Sequence, residues 1–145
     1  MKSPSHYSEK YKHMFMSMAE DCSKASVAKR LQVGCVIYLN NHTLTTGWNG
    51  MPSGSQTEIC EDIDGNTKAD VHHAEQNAIK KLQDSGMLHL AKGGICFVTH
   101  QPCSVCAASL ISIGITCVYY KNIYRCNSGI NLLKQNNINV YQFGE

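Results

Sequence analysis

Hydrophobic positions along the first third of the chain change their spacing twice. Over residues 7–28 they recur at helical intervals, which predicts a helix with Tyr11, Met14, Phe15, Met18, Ala19 and Cys22 on its core face. Val33-Gly34-Cys35-Val36-Ile37-Tyr38-Leu39 is a continuous apolar run rich in β-branched residues and predicts a buried strand. Asn40-Asn41-His42 supplies turn residues, so residues 43–48 are predicted to return as the hairpin partner. Periodicity then fades from Gly50 to Val71. So long a connection in a small domain is usually functional or disordered.

The pattern resumes with a helix from His73, placing Ala74, Ala78 and Leu82 on one face. A strand over residues 95–99, a helix over 103–113 closed by Gly114, a strand over 116–120, a short helix over 127–135 and a strand over 138–143 follow. A leading helix and then β-β-α-β-α-β-α-β predicts an α/β layered fold with a mixed sheet, in one domain over residues 1–145. The last two strands, joined by a helix, are expected to be parallel through a right-handed crossover.

At 145 residues and 43% hydrophobic, the chain has enough apolar material for a real core. Its net charge of +2 is dispersed, with no Lys/Arg run that predicts a nucleic-acid-binding arm. No segment approaches the roughly 20 apolar residues of a membrane helix, and residues 1–7 lack the apolar stretch of a secretory signal. A soluble, cytoplasmic protein is therefore expected. In a reducing compartment the eight cysteines read as free thiols and metal ligands rather than a disulfide scaffold. Cys35, Cys96 and Cys117 lie in strand-like runs and are expected in the core.

Two motifs carry chemistry: His73-Ala74-Glu75 and Pro102-Cys103-Ser104-Val105-Cys106. One imidazole and two thiolates hold a zinc ion on three sides and leave one position for water, which separates catalytic from structural zinc. Glu75 is not needed as a ligand and is placed to carry protons. Cys103 and Cys106 open a predicted helix, whose positive end favours thiolate over thiol, and Pro102 pre-sets the entry to it. The competing reading is a closed structural zinc that recruits His72, Cys60 or Cys96. That reading leaves Glu75 without a role.

The H-x-E…P-C-x-x-C pair is the signature of zinc nucleobase deaminases. The chain resembles that superfamily over residues 11–143, and most nearly its deoxycytidylate (dCMP) deaminase family. Gly47-Trp48-Asn49-Gly50-Met51-Pro52-Ser53-Gly54 resembles the family's G-[YW]-N-G-x-P-x-G segment. Cys103-Ser104-Val105-Cys106-Ala107 matches its P-C-x-x-C-A, and Ser26 and Arg30 match residues that precede its V-G strand.

The resemblance implies a three-layer cytidine-deaminase-like fold: a five-stranded mixed sheet in the order 2-1-3-4-5, the last two strands parallel, with both metal-binding helices on one face. It implies zinc-dependent hydrolysis of dCMP to dUMP and ammonia, supplying dUMP for thymidylate synthesis. His73, Cys103 and Cys106 are the implied zinc ligands and Glu75 the proton carrier. Arg30, Asn49, His72, Ala74, Tyr120, Lys121 and Arg125 are the candidate substrate residues; Arg30, Tyr120 and Lys121, with Arg125 behind them, are the candidates for the 5′-phosphate, the Tyr120-Lys121 pair lying at a strand end that faces the metal helices. His72 fits three roles equally: phosphate contact, contact with a neighbouring subunit, or pairing with the acidic 50–71 segment. Asn49, Gly50, Met51 and Ser53 are candidates for an effector site that takes dCTP as activator and dTTP as inhibitor. That segment carries Glu58, Glu61, Asp62, Asp64 and Asp70 against Lys68, so Mg²⁺ is expected with dCTP to offset repulsion. A homohexamer is the implied assembly.

The alternatives are a tRNA adenosine or single-stranded nucleic-acid cytosine deaminase and, in another class, a non-catalytic zinc module. The polynucleotide enzymes need a basic channel with stacking aromatics, whereas this chain has three Phe, one Trp and no basic cluster. Some viral relatives bind a second zinc through an N-terminal C-x-x-C. Here Cys22-Ser23-Lys24-Ala25 lacks the second Cys, leaving Cys22, Cys60 and His72 as candidates. Asp62-Ile63-Asp64-Gly65-Asn66 reads as an acidic turn rather than a calcium loop.

Overall fold

The computed structural model describes residues 9–52, 55–124 and 126–143. Helix α1 (Glu9–Lys24) precedes a hairpin of β1 (Gly34–Tyr38) and β2 (Leu44–Trp48), and then come α2 (Ala74–Asp84), β3 (Ile95–His100), α3 (Ser104–Ser112), β4 (Cys117–Asn122), α4 (Ser128–Gln135) and β5 (Asn139–Gln142). The five strands form one sheet in the order β2-β1-β3-β4-β5. β1 is antiparallel to both β2 and β3, while β3, β4 and β5 are mutually parallel. Order and parallel ending are those the resemblance implied.

Strand alternation sorts the sheet into two cores. Val36, Ile95, Phe97, Cys117 and Tyr119 face α1 and pack with its Phe15, Met16 and Ala19. Cys35, Ile37, Cys96, Val98 and Val118 face the opposite layer, where α2 contributes Ala74, Ala78 and Leu82, α3 contributes Ala107 and Leu110, and α4 contributes Ile130 and Leu133. Cys35, Cys96 and Cys117 are fully buried, as their strand-like surroundings predicted.

Helix α1 keeps most of its predicted face: Phe15 and Ala19 are buried, and Met18 and Cys22 pack beside them. Met16 is buried as well, whereas Tyr11 and Met14 are each 46% exposed. The helix comes very close to the backbone of β1: a Cβ on Gly34 would sit 1.9 Å from the Ala19 carbonyl oxygen. Helix and strand therefore meet at Ala19, within the predicted face.

Within the 50–71 stretch, which shows no period in the sequence, residues 60–68 form a small hairpin. Glu61 bridges Thr67, Lys68 N–H donates to the Cys60 carbonyl, and the Asp62 carboxylate accepts from the amides of Asp64 and Asn66. Cys60 is buried against Ala28 and Val71, with Met51 packed on them. This is the expected acidic turn, stapled to the loop after α1. No helix among the described residues is long and apolar enough to cross a membrane.

Candidate metal centre and active site

β2, β3 and β4 all end at the same edge of the sheet, and the two chemical motifs sit there because α2 and α3 begin there. His73 precedes α2 in an extended conformation, with its N–H bonded to the Gln76 side chain at 2.8 Å. Cys103 caps α3, its Sγ accepting from Cys106 N–H at 3.5 Å. Both ligands are thus one residue before the helix rather than inside its first turn.

Two glycines make these helix starts possible by close approach. A Cβ on Gly47 of β2 would meet the Ala74 carbonyl oxygen at 2.3 Å, so β2 presses directly on the first turn of α2. A Cβ on Gly129 of α4 would meet the Pro102 carbonyl oxygen at 2.0 Å and the Cys103 carbonyl carbon at 2.8 Å. Gly129→Ala is therefore expected to push α4 off the Pro102–Cys103 backbone. It should cost about 1–3 kcal/mol of stability and loosen metal retention. Thermal melting together with metal content after dialysis against a chelator checks this. Parent-like values in both would refute it.

The three donor atoms converge. His73 Nδ1 lies 3.5 Å from Cys103 Sγ and 3.2 Å from Cys106 Sγ, and all three lie within 4.8 Å of one another. No other His, Cys, Asp or Glu grouping of this kind occurs among the described residues, so Cys22, Cys60 and His72 are not assembled into a second site. The Cys103 thiol is pulled down to about 3 by hydrogen bonds from Cys106 and His73. The Cys106 thiol is pushed far up by Cys103 and by burial, and His73 is held above its ordinary value by Cys103. One thiolate already stands beside an imidazole, and a cation replacing the remaining protons would find two sulfurs and a nitrogen. That donor set suits zinc.

Glu75 lies beside the cluster and is only 3% exposed. Burial raises its carboxyl from 4.5 to about 7, with His73 pulling the other way. A carboxyl titrating near neutrality beside a three-donor metal site can both accept and return a proton, the arrangement required for metal-assisted hydrolysis.

His73, Glu75 and Cys103 line a pocket of about 440 Å³ together with Arg30, Leu31, Asn49, Thr67, His100 and Tyr124. Among the sequence candidates, Arg30, Asn49 and Ala74 line it. The Asn49 side chain accepts from Val33 N–H at 2.9 Å and donates to the Leu31 carbonyl at 2.7 Å, pinning the loop that carries Arg30. His72 exchanges backbone hydrogen bonds with Gly50, which brings Gly50 to the entrance of α2. Lys121 is placed elsewhere. β4 runs on to Asn122, opposite His100, instead of stopping at residue 120, and alternation then sends Lys121 to the α1 side. There its Nζ pairs with Glu20 at 2.8 Å. Tyr120 faces the helix layer but packs on the core below the pocket rather than lining it. Arg125 and Ser53 lie outside the described residues.

Sequence reasoning missed Thr67, His100, Gln101 and Tyr124. Gln101 is 8% exposed and ties the rim together: its amide accepts from Tyr124 N–H and donates to Asn127 Oδ1 at 3.2 Å. Its place directly before Pro102 was the available signal. A second pocket of similar size lies behind the same segment, where Trp48, Gly50 and Met51 face Asn77, Lys80 and Lys81 of α2. Lys81 Nζ sits 4.9 Å from the centre of the Trp48 ring.

Residues 9–122 match the family described as the cytidine and deoxycytidylate deaminase zinc-binding region. The chain is 33% identical to ComE operon protein 2 of Bacillus subtilis over 77% of its own length and 59% of that protein. It is 27% identical to deoxycytidylate deaminase of Schizosaccharomyces pombe over 86% of its own length and 41% of that enzyme. The chain thus spans about half the length of these curated relatives. It superposes with a TM-score of 0.89 and 38% identity on dCMP deaminase from the cyanophage S-TIM5, solved with dCMP and dUMP, covering 95% of this chain and all of that one.

Proposed function

The chain belongs to the cytidine and deoxycytidylate deaminase family, and on that premise we propose that it hydrolyses dCMP to dUMP with release of ammonia. The observation that carries this reading is a buried Glu75 beside the His73–Cys103–Cys106 cluster, in a pocket that Arg30 also lines. The cyanophage enzyme, similar along its whole length and solved with dCMP and dUMP, supports the same substrate.

His73, Cys103 and Cys106 would hold the zinc. When bound there, zinc supplies the Lewis acidity that lets water act as a nucleophile at neutral pH. The chain's own residues do the rest. Glu75 takes one proton from water and gives it to N3 of cytosine as oxygen adds to C4; it then takes the second proton from the new C4 hydroxyl and gives it to the exocyclic amine, so that C4=O forms as the C4–N bond breaks and ammonia leaves. Burial favours its neutral form, so the carboxyl can hold a proton between the two transfers. Arg30 is the rim group for the 5′-phosphate, and Asn49 shapes the edge of the pocket where the sugar would lie. The carboxylates of the nearby acidic hairpin favour a compact nucleotide over a polyanionic strand, which would have to pass them.

The same reading extends to regulation. The pocket behind Trp48, Gly50 and Met51, with Lys80 and Lys81 on its α2 wall, is the place for a nucleoside triphosphate effector: dCTP with Mg²⁺ as activator, dTTP as inhibitor. Both pockets share Asn49, so occupancy of one can bias the other. The setting we infer is a single catalytic domain acting in the cytoplasm as a homohexamer and supplying dUMP for thymidylate synthesis. One ammonia-release assay tests the whole: dCMP, deoxycytidine, CMP and a cytosine oligonucleotide, each with and without dCTP and Mg²⁺. The expected result is turnover of dCMP above all others, sigmoidal alone and hyperbolic with dCTP. Preferential turnover of the oligonucleotide would overturn the substrate, and a hyperbolic curve indifferent to dCTP would overturn the regulation.

A further inference from the structure

Arg30 stands on a loop with no secondary structure, and two groups from distant parts of the chain fix its backbone. One is Asn49, through Leu31 and Val33. The other is Glu61, which belongs to the acidic hairpin: its Oε2 accepts from Lys29 N–H at 2.9 Å and from Arg30 N–H at 3.2 Å. Both bonds are to an ionised acceptor, the stronger class of hydrogen bond. The backbone of Glu61 also bridges Thr67, which lines the catalytic pocket near Arg30, and its neighbour Cys60 is buried against Ala28. A carboxylate that repels phosphate as a surface charge is here committed to the amides behind the residue that would attract it.

We propose that Glu61 is a positioning residue for substrate selection: it holds Arg30 at the pocket rim, so that discrimination for a 5′-phosphate depends on the acidic hairpin. The proposal rests on Arg30 being the phosphate group's partner. It also assigns a purpose to the hairpin, since the turn of residues 60–68 delivers Glu61 to one side of the Arg30 loop and Thr67 to the pocket.

The test is steady-state kinetics of the zinc-loaded full chain on dCMP and deoxycytidine. Glu61→Ala is expected to raise KM for dCMP by about tenfold, with kcat and the rate on deoxycytidine kept within about twofold. Glu61→Gln, which retains an acceptor oxygen, should recover most of the loss. In an Arg30→Ala background, Glu61→Ala should add nothing, because the two act through one contact. Equal losses on both substrates, unchanged discrimination, or additivity with Arg30→Ala would each overturn the role of Glu61. A parent enzyme that turns over deoxycytidine as well as dCMP would instead remove the phosphate reading itself, and this inference with it.

Discussion

Glu75→Gln is expected to lower kcat by about 10²–10⁴-fold while leaving zinc content and fold intact. The size follows from the loss of every proton transfer in the reaction. The retention of metal follows because the three converging donors are His73, Cys103 and Cys106, with the carboxylate beside them. The same substitution should stabilise the metal-free protein, and the sign can be worked out. Burial raises the Glu75 carboxyl from 4.5 to about 7 in the folded state, so folded protein binds the proton more tightly than unfolded chain. The associated stability is fully present below about 4.5 and is lost as pH rises through about 7. Cys103, with its thiol depressed to about 3, acts in the opposite direction, so the total pH profile mixes the two. The difference between parent and Glu75→Gln isolates the carboxyl. It should be near zero at pH 4 and favour the variant by on the order of 3 kcal/mol at pH 8. Near-normal turnover in the variant would remove Glu75 from the mechanism. An unchanged difference in melting temperature between pH 4 and pH 8 would show that the carboxyl is not desolvated.

What was legible in the sequence was whatever depends on short-range spacing. The His73–Glu75 and Cys103–Cys106 intervals, each at a helix start, were enough to bring three metal donors together with Glu75 beside them. Element order gave the sheet its parallel end, because a helix between strands 4 and 5 leaves little alternative. Features set by contacts between distant residues were hidden. The close approach of α1 to β1 depends on Gly34 meeting the Ala19 backbone, which the apolar stripe of the helix does not encode. Lys121 looked like a phosphate ligand because the strand was expected to end at residue 120. Two further residues of ladder against β3 turned it to Glu20 on the other face. In a strand, one residue of extension decides the side. Residues 60–71 were opaque for another reason: they are held by polar turns and a three-residue apolar contact at Ala28, Cys60 and Val71, too small to leave a period. Glu61 therefore read as one more acidic surface residue, although its oxygen holds the Arg30 loop.

Arg30→Ala should separate nucleotide from nucleoside. Among the described residues that the sequence offers for the phosphate, Arg30 is the cationic side chain that lines the pocket, since Lys121 is paired on the opposite face of the sheet. A guanidinium offers a fork of donors that matches phosphate oxygens two at a time, so one residue can carry much of the recognition. Removing it should cost about 2–5 kcal/mol of transition-state binding to dCMP, roughly 30- to 5000-fold in kcat/KM at 1.4 kcal/mol per decade. Deoxycytidine has no phosphate to lose and should react at an unchanged rate. Arg30→Lys keeps the charge but not the fork and should fall between. Ionic strength gives a second readout: rising salt should weaken the parent on dCMP by screening the Arg30 contact and should affect the variant less, because that contact is gone. Measuring kcat/KM for both substrates in parent and variants, at low and high salt, decides it. A loss that is equal for dCMP and deoxycytidine would mean that Arg30 supports the pocket wall and does not bind the phosphate.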